Sequence, residues 1–384
     1  MNTARVWGCG LLAGLLLSAN FAAHAAVVTG LYEASVPVAD QSQVARRVAL
    51  QQALAAVLVK ITGERTAGGV PALANLIQDP NQFLQQYRYE QPPGSGTSST
   101  VTYYDLTRTG VLAIAPTGLL LSAKFDPEVV NHAVRAAGEP LWGQERPATL
   151  VWLAIQNGAA RSVLASGGSP AIMQAMTDAA SQRGVPLIFP LMDLRDQQLI
   201  GFPDIWSDDS PRIQQASQRY QPDAILVGSF YAVTPGQYAA RWQLIIGSEV
   251  QAWDTPPGDL ATVAADGIQT TADHYAGDFA IAANAAGLNN VEVVVDGVSS
   301  VVAYAKVLAY LNELTPVKAL QVTRVENGSV YFSVDARGDL NNLRQAIILG
   351  DLLKPLASAP IIPGPGTAPA PAAVTAPLRF RYVP

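Results

Sequence analysis

The stretch Leu150-Val151-Trp152-Leu153-Ala154-Ile155 decides the fold class of this chain. A run of six apolar residues is too short for a buried helix and is typical of a strand buried on both faces. A helical pattern over residues 170–183 follows, with Gly184 as its stop signal, and residues 185–191 predict a second buried strand. Strands that alternate with helices in this way predict an α/β layered structure.

The alternation continues through residues 146–285, which we interpret as a middle domain. Its remaining predicted elements are a helix at 210–220, a strand at 224–231, a hairpin at 239–253 and a helix at 259–283. Open α/β sheets bind ligands outside the carboxyl ends of their strands, so the loops that follow these strands are the place to look for a site.

A smaller α/β domain is predicted before it, over residues 26–145. Asp40 is placed as the N-cap of its first helix, whose apolar stripe ends at Gly63. The other predicted elements are strands at 27–38, near 101–106 and at 118–125, helices at 71–87 and 127–137, and a loop at 91–100.

A third domain is predicted over residues 290–384, with elements in the order β-α-β-β-α that begins a ferredoxin-like βαββαβ unit. Asn327-Gly328 supplies the hairpin turn. Residues 378–383 are either the last strand or a loose tail beyond a flexible Ala- and Pro-rich segment at 355–377, and both alternatives stay open. The sequence thus predicts a multidomain α/β (α+β) protein of small mixed sheets covered by helices.

Composition narrows the function classes. The 384-residue chain is 49% hydrophobic and 14% charged, with a formal net charge of −6. So large an apolar fraction excludes disorder as the main state. The acidic balance excludes a nucleic-acid binder, because affinity for phosphate needs a clustered positive surface.

The first 25 residues have the pattern of a secretory signal peptide. Arg5 provides the positive end, residues 11–17 the apolar core, and Ala23-His24-Ala25 the cleavage motif. Cleavage between Ala25 and Ala26 would remove Cys9, the one cysteine of the chain. No later apolar run approaches the roughly 20 residues that a spanning helix needs, so we expect a periplasmic protein without a transmembrane segment after cleavage.

Several motifs together resemble a known family. They are Leu31-Tyr32-Glu33-Ala34-Ser35-Val36-Pro37-Val38, Val57-Leu58-Val59-Lys60-Ile61-Thr62-Gly63, Pro140-Leu141-Trp142-Gly143 and Leu150-Val151-Trp152-Leu153-Ala154. This set looks like the domain of unknown function 2066, a family of uncharacterised secreted or periplasmic proteobacterial proteins. The resemblance implies an envelope location and no established activity, and it carries no catalytic residues with it.

The chain has few residues that could bind a metal ion or act as a nucleophile. His132 and His274 have neither the spacing nor the cysteine partner of a zinc site. There is no G-x-S-x-G or S-x-x-K motif to supply an activated serine. The sequence therefore predicts no metal, no cofactor and no catalytic residue.

Acidic residues after the predicted strand at 185–191 are the best remaining material for catalysis; they are Asp193, Asp196, Asp204, Asp208 and Asp209. Glycan hydrolases use a pair of carboxylates for catalysis, and an aromatic side chain beside them can bind the sugar. The structural alternative, which we favour, is that Asp193 and Asp196 form an ion-pair turn with the intervening Arg195. In the same interpretation, Asp208 or Asp209 caps the helix at 210–220.

Trp206, in the loop at 201–210, is the best candidate for an exposed contact residue, because tryptophan is enriched at the energetic centre of interfaces. Trp152 lies within a buried strand and is predicted to be a core residue. We therefore predict a non-enzymatic periplasmic accessory or scaffold protein that binds envelope proteins through a surface with Trp206, Asp193 and Asp196. The alternatives are an envelope glycan hydrolase that uses the loop 193–209 and a small-ligand binding protein that uses the edge of the middle sheet.

Overall fold

The computed structural model describes residues 28, 30–91, 103–105, 110–112, 118–350, 352–356 and 377–383. The fold is mixed α/β, with small sheets covered by helices, and this confirms the predicted fold class. The proposed signal segment with its cleavage site at Ala25 and Ala26, the predicted loop beyond Gln91 and most of the Ala- and Pro-rich segment lie outside the described residues.

An antiparallel sheet of three strands, in the order β1-β5-β2, lies at the N-terminal end and packs against the long helix α1. The elements of this region are β1 (Glu33–Pro37), α1 (Gln43–Thr62), α2 (Pro71–Gln78), β2 (Leu84–Glu90), β3 (Tyr103–Asp105), β4 (Gly110–Leu112), β5 (Leu120–Phe125) and α3 (Pro127–Ala136). Strands β3 and β4 pair with each other, apart from that sheet.

Two local predictions for this region were wrong. Ser42, and not Asp40, is the N-cap of α1: its hydroxyl accepts a hydrogen bond from the Ala45 N–H at 3.2 Å. The second helix ends at Gln78 instead of residue 87, because Asp79 precedes a proline and such residues disfavour the helical conformation. The chain then extends into β2, which pairs with β5.

The middle sheet has the order β11-β10-β9-β6-β7, with β8 beside β6, and β6 runs parallel to both β8 and β9. Its elements are β6 (Thr149–Asn157), β7 (Ala160–Val163), α4 (Pro170–Arg183), β8 (Leu187–Ile188), α5 (Leu194–Leu199), α6 (Phe202–Trp206), α7 (Ser210–Ser217), β9 (Ala224–Thr234), β10 (Gln237–Ile246), β11 (Glu249–Gly258) and α8 (Leu260–Phe279). The strand expected at 185–191 shrinks to the two residues of β8. Pro186 and Pro190 flank those residues, and proline cannot donate to a strand ladder.

Helices cover both faces of the middle sheet. Helices α4 and α8 pack on the face that carries Trp242. The short helices α5, α6 and α7 pack on the opposite face, which carries Trp152. Trp152 is fully buried, as predicted, and its indole N–H donates to the Ser217 hydroxyl at 2.9 Å. This three-layer arrangement places α6 directly across strands β6, β7 and β9.

The C-terminal sheet has the order β13-β14-β12-β16-β15. Its elements are β12 (Gly287–Asp296), α9 (Val301–Glu313), β13 (Val317–Glu326), β14 (Ser329–Arg337), α10 (Leu340–Ile348), β15 (Leu353–Pro355) and β16 (Leu378–Tyr382). The predicted β-α-β-β-α order is present, and β16 completes the sheet by pairing parallel to β12. The loose-tail alternative was therefore wrong, because Phe380 of β16 is buried in the core of this sheet. The added short strand β15 forms the edge beyond β16.

Polar contacts join the three regions. Arg183, at the end of α4, donates to the Gly63 carbonyl at 2.6 Å and to the Asp273 carboxylate of α8 at 2.8 Å. The Glu145 carboxylate accepts a hydrogen bond from the Thr315 N–H of the C-terminal region at 3.2 Å. Gly63 itself ends α1 in the left-handed conformation, with φ at 79°.

Candidate functional site

Asp193 and Asp196 lie at the start of α5 and share one arginine. Asp193 is the N-cap, and its carboxylate accepts hydrogen bonds from the backbone N–H groups of Arg195 and Asp196 at 3.1 and 3.0 Å. The Arg219 guanidinium donates to Asp193 at 2.7 Å and to Asp196 at 3.0 Å. The ion-pair partner of the two acids is therefore Arg219, and not the expected neighbour Arg195. The hydrogen bond from Arg219 lowers the pKa of Asp193 to about 2.

Asp196 is fully buried beneath this turn. Its carboxylate accepts hydrogen bonds from the Tyr220 hydroxyl at 2.5 Å and from the Met192 N–H at 2.9 Å. Burial, followed by the bond to Asp196, raises the pKa of Tyr220 to about 12. Because its carboxylate faces inward, Asp196 stabilises the packing of α5, and a partner at the surface does not reach it.

The other three acids of the loop also have local roles. Asp204 accepts a hydrogen bond from the Gly201 N–H at 2.8 Å and pairs with Arg212 at 3.0 Å. Asp209 caps α7 through the Arg212 N–H at 3.3 Å, which confirms that one of the two predicted residues is the cap. Asp208 has a positive φ of 55°, and burial raises the pKa of its carboxyl.

Trp206 is the centre of a group of side chains at the surface that the sequence did not predict to lie together. Phe202 and Trp206 lie one turn apart on α6, and their rings stack with centroids 5.1 Å apart and planes within 19°. The Arg161 guanidinium lies 5.4 Å from the Phe202 ring centroid, and that of Arg241 lies 5.7 Å from the Trp206 ring. Arg241 also donates to the Trp206 carbonyl at 2.9 Å, which fixes the arginine against α6.

The strand register extends this surface beyond α6. Arg161 pairs with Gln156, and Gln156 pairs with Tyr231, so these three side chains share one row and one face of the sheet. Tyr231 and Val233 are 38% and 50% exposed on that face. They lie at the carboxyl end of β9, the end at which open α/β sheets bind ligands. We call this set the aromatic–arginine patch: Arg161, Phe202, Trp206, Tyr231, Val233 and Arg241.

The charges of the patch are open to a partner. Within the described parts of the chain, neither Arg161 nor Arg241 forms a salt bridge. Both guanidiniums are exposed at the surface. A guanidinium held over an aromatic ring keeps in-plane N–H donors free for carboxylate or carbonyl acceptors. The patch therefore combines apolar contact area with donors in fixed positions.

Among the residues that the structure describes, no three His, Cys, Asp or Glu side chains are grouped in a way that could hold a metal ion. His274 instead packs against Trp253, with ring centroids 5.1 Å apart. Over the same described ranges, no helix has both the length and the apolar character needed to cross a membrane.

Sequence reasoning singled out Trp206 but placed it exposed in a loop, which was wrong: residues 202–206 form helix α6, and Trp206 is half-buried against the core of the middle sheet. It also missed the residues around Trp206. The spacing of Phe202 and Trp206 was a usable signal, because side chains four apart meet on a helix. Arg161 and Arg241 gave no such signal, since each reaches α6 only through the pairing of distant strands.

Residues 25–143 match the model of a family described as a domain of unknown function, DUF8605. The resemblance to the domain of unknown function 2066 was therefore wrong, because the matching family is a different one. Two of the motifs that suggested it correspond to the strand β1 with its flanks and to the end of α1, where glycine is a common helix cap. The match covers less than half of the chain. No curated protein matches it.

Proposed function

We propose that this protein is a non-enzymatic binding protein of the bacterial cell envelope, exported by residues 1–25, and that the aromatic–arginine patch contacts another envelope protein. The observation that carries the proposal is the half-buried stacked pair Phe202 and Trp206 beside two exposed arginines, Arg161 and Arg241, which form no salt bridge with the residues that the structure describes. Tryptophan, tyrosine and arginine are the residues that dominate the binding energy of protein interfaces.

The width of the patch supports a protein partner over a small molecule. From β7, which carries Arg161, to β10, which carries Arg241, the sheet crosses three strand spacings, or roughly 14 Å. Exposed apolar side chains at Tyr231 and Val233 continue the surface along the strand direction. An open surface of this extent suits the flat contact of a protein better than the enclosure of a small ligand.

The experiment places a photo-crosslinking amino acid at Val233, inside the patch, and at Val250 on the edge strand β11 as the matched control. The two valines are 50% and 49% exposed, so a crosslinking group at either position is comparably accessible to a partner. We expect a discrete adduct with an envelope protein at Val233 and none at Val250. Trp206→Ala and Arg161→Glu should each reduce the adduct at Val233.

Two outcomes would contradict the proposal. Equal adducts at Val233 and Val250, or an adduct at Val233 that Trp206→Ala leaves unchanged, would remove the patch as the contact surface. Recovery of the protein in the cytosolic fraction would remove the envelope assignment. An Ala25→Asp variant, which alters the cleavage motif, should accumulate as the longer precursor if residues 1–25 are a signal peptide.

The hydrolase alternative has one supporting observation, the raised pKa of Asp208. A general acid needs a carboxyl that stays protonated near the working pH. Asp208→Asn should abolish turnover of cell-wall glycan if Asp208 is that acid. Under the binding proposal, the Asp208→Asn variant keeps the Val233 adduct and neither protein releases glycan fragments.

A further inference from the structure

Strand β13 is a long edge of the C-terminal sheet. It runs for ten residues and pairs on one side with β14. Within the described residues, no strand pairs with its other side. The opposite edge, β15, has only three residues and includes Pro355. The edge of a sheet presents a row of N–H and C=O groups that can pair with another strand.

The register places an apolar row along this edge. Leu320, Val322 and Val325 pair with Val334, Phe332 and Val330, whose side chains are buried on the helix-covered face. Val322 and Val325 are themselves 36% and 60% exposed. The register to β14 shifts twice: Lys318 is an extra residue between Val317 and Ala319, and Thr323 is an extra residue between Val322 and Arg324. The second bulge keeps Val325 on the same face as Val322.

The row is complementary to itself, and we propose that two copies of this chain pair β13 with β13 in antiparallel orientation about a twofold axis at Val322. Leu320 of one copy then faces Val325 of the other, and the two Val322 side chains meet on the axis. The bulge at Thr323 lies opposite Gln321 and leaves the apolar row in register. The two five-stranded sheets join into a continuous sheet.

The charges at the ends of β13 favour the antiparallel pairing of two copies. Glu326 of one copy lies beside Lys318 and Ala319 of the other, so the pairing forms two ion pairs. Among the described residues of one chain, the salt-bridge partner of Glu326 is the exposed Arg324, at 3.5 Å. A parallel pairing in register would instead place Lys318 against Lys318 and Glu326 against Glu326, which is repulsive.

Helix α9 covers one face of this sheet. Its residues Ala303, Val307 and Leu311 pack against the buried face of that sheet. The proposal rests on a different domain from the aromatic–arginine patch and does not depend on the proposed function.

The first test is the sedimentation of the full chain across the micromolar concentration range. We expect a dimer, and Val325→Lys should raise its dissociation constant by about tenfold or more, because it inserts a charge opposite Leu320. Val250→Lys, at an exposed position on the edge strand of the middle sheet, should leave the dimer unchanged. Lys318→Glu and Glu326→Lys should each weaken the dimer, and the double variant should restore it.

The second test fixes the register. In a Cys9→Ser background, Val322→Cys should form an intermolecular disulfide, since the two residues meet on the axis, and Val250→Cys should not. A full chain that stays monomeric at high micromolar concentration would overturn the proposal. So would a dimer that survives Val325→Lys unchanged, or one in which Val322→Cys forms no more disulfide than Val250→Cys.

Discussion

The Arg146 guanidinium donates a hydrogen bond to the backbone carbonyl of Arg183 at 2.9 Å, and both side chains are buried. The remaining acceptors of Arg146 are also backbone carbonyls: Lys60, Trp142, Gly143 and Gly184. Lys60 and Arg183 lie in the last turns of α1 and α4, where carbonyls lack helical partners and the helix dipole is negative. One cation therefore binds the C-terminal ends of helices from two different regions.

Replacement of Arg146 should destabilise the protein strongly. Arg146→Met leaves the carbonyls of two helix ends buried without donors, and we expect a loss of roughly 3–5 kcal/mol in the free energy of unfolding. Urea denaturation measures it. Arg195→Met, at an exposed position, should change stability by less than about 0.5 kcal/mol. A loss for Arg146→Met that is no larger than for Arg195→Met would contradict this role.

Trp242 packs against Gly267 of α8 and Gly228 of β9, and this close packing predicts the effect of adding a methyl group. A methyl group at Gly267 of α8 would overlap the Trp242 ring, and one at Gly228 of β9 would lie 2.6 Å from it. Gly267→Ala should therefore cost about 1–3 kcal/mol despite the better helix propensity of alanine. Gly277→Ala, on the same helix with open space around it, should instead stabilise by about 0.5–1 kcal/mol. Thermal unfolding of the two variants compares them directly, and equal effects would refute the packing argument.

The carboxylate cluster predicts a pH dependence. The pKa of Asp193 falls from 3.8 to about 2 on folding, mainly through the hydrogen bond from Arg219. A lowered folded-state pKa stabilises the protein above the unfolded-state value, and that contribution is lost as the pH falls from 3.8 to about 2. The difference in thermal midpoint between the native protein and Asp193→Asn should shrink over this interval. Arg219→Met should remove the same pH-dependent component, and a difference that stays constant with pH would contradict the assignment.

Strand β16 should be essential to its sheet. Phe380 is 1% exposed and lies between β12 and β15 in the C-terminal core. Phe380→Ala should cost about 3–5 kcal/mol. Arg381→Ala, at the adjacent exposed position, should stay within about 0.5 kcal/mol. Hydrogen exchange of β12 would locate the effect, because β12 loses its parallel neighbour when β16 detaches.

Predictions that depended on neighbouring residues were correct more often than those that depended on residues far apart in the sequence. The helix at 170–183 with its Gly184 cap was predicted to the residue, because its start and stop signals lie within the element. The second helix was extended too far, since the apolar pattern continued past Asp79 to Phe83 and Leu84, while the backbone before Pro80 turned out of the helix. Trp152 was recognised as a core residue, and its hydrogen bond to Ser217 was not, because 65 residues separate the two along the chain.

By itself, the sequence determined the class of fold and several local elements, among them the helix at 170–183 with its Gly184 cap and the N-cap Asp209 of α7. These depend on periodicity and on residues a few positions apart. Only the tertiary structure decided that Asp196 is buried, that Arg219 replaces Arg195 as its partner, and that Arg161 and Arg241 flank Phe202 and Trp206. Such contacts join residues through strand pairing and helix packing, and that geometry has no signature in the local order of amino acids.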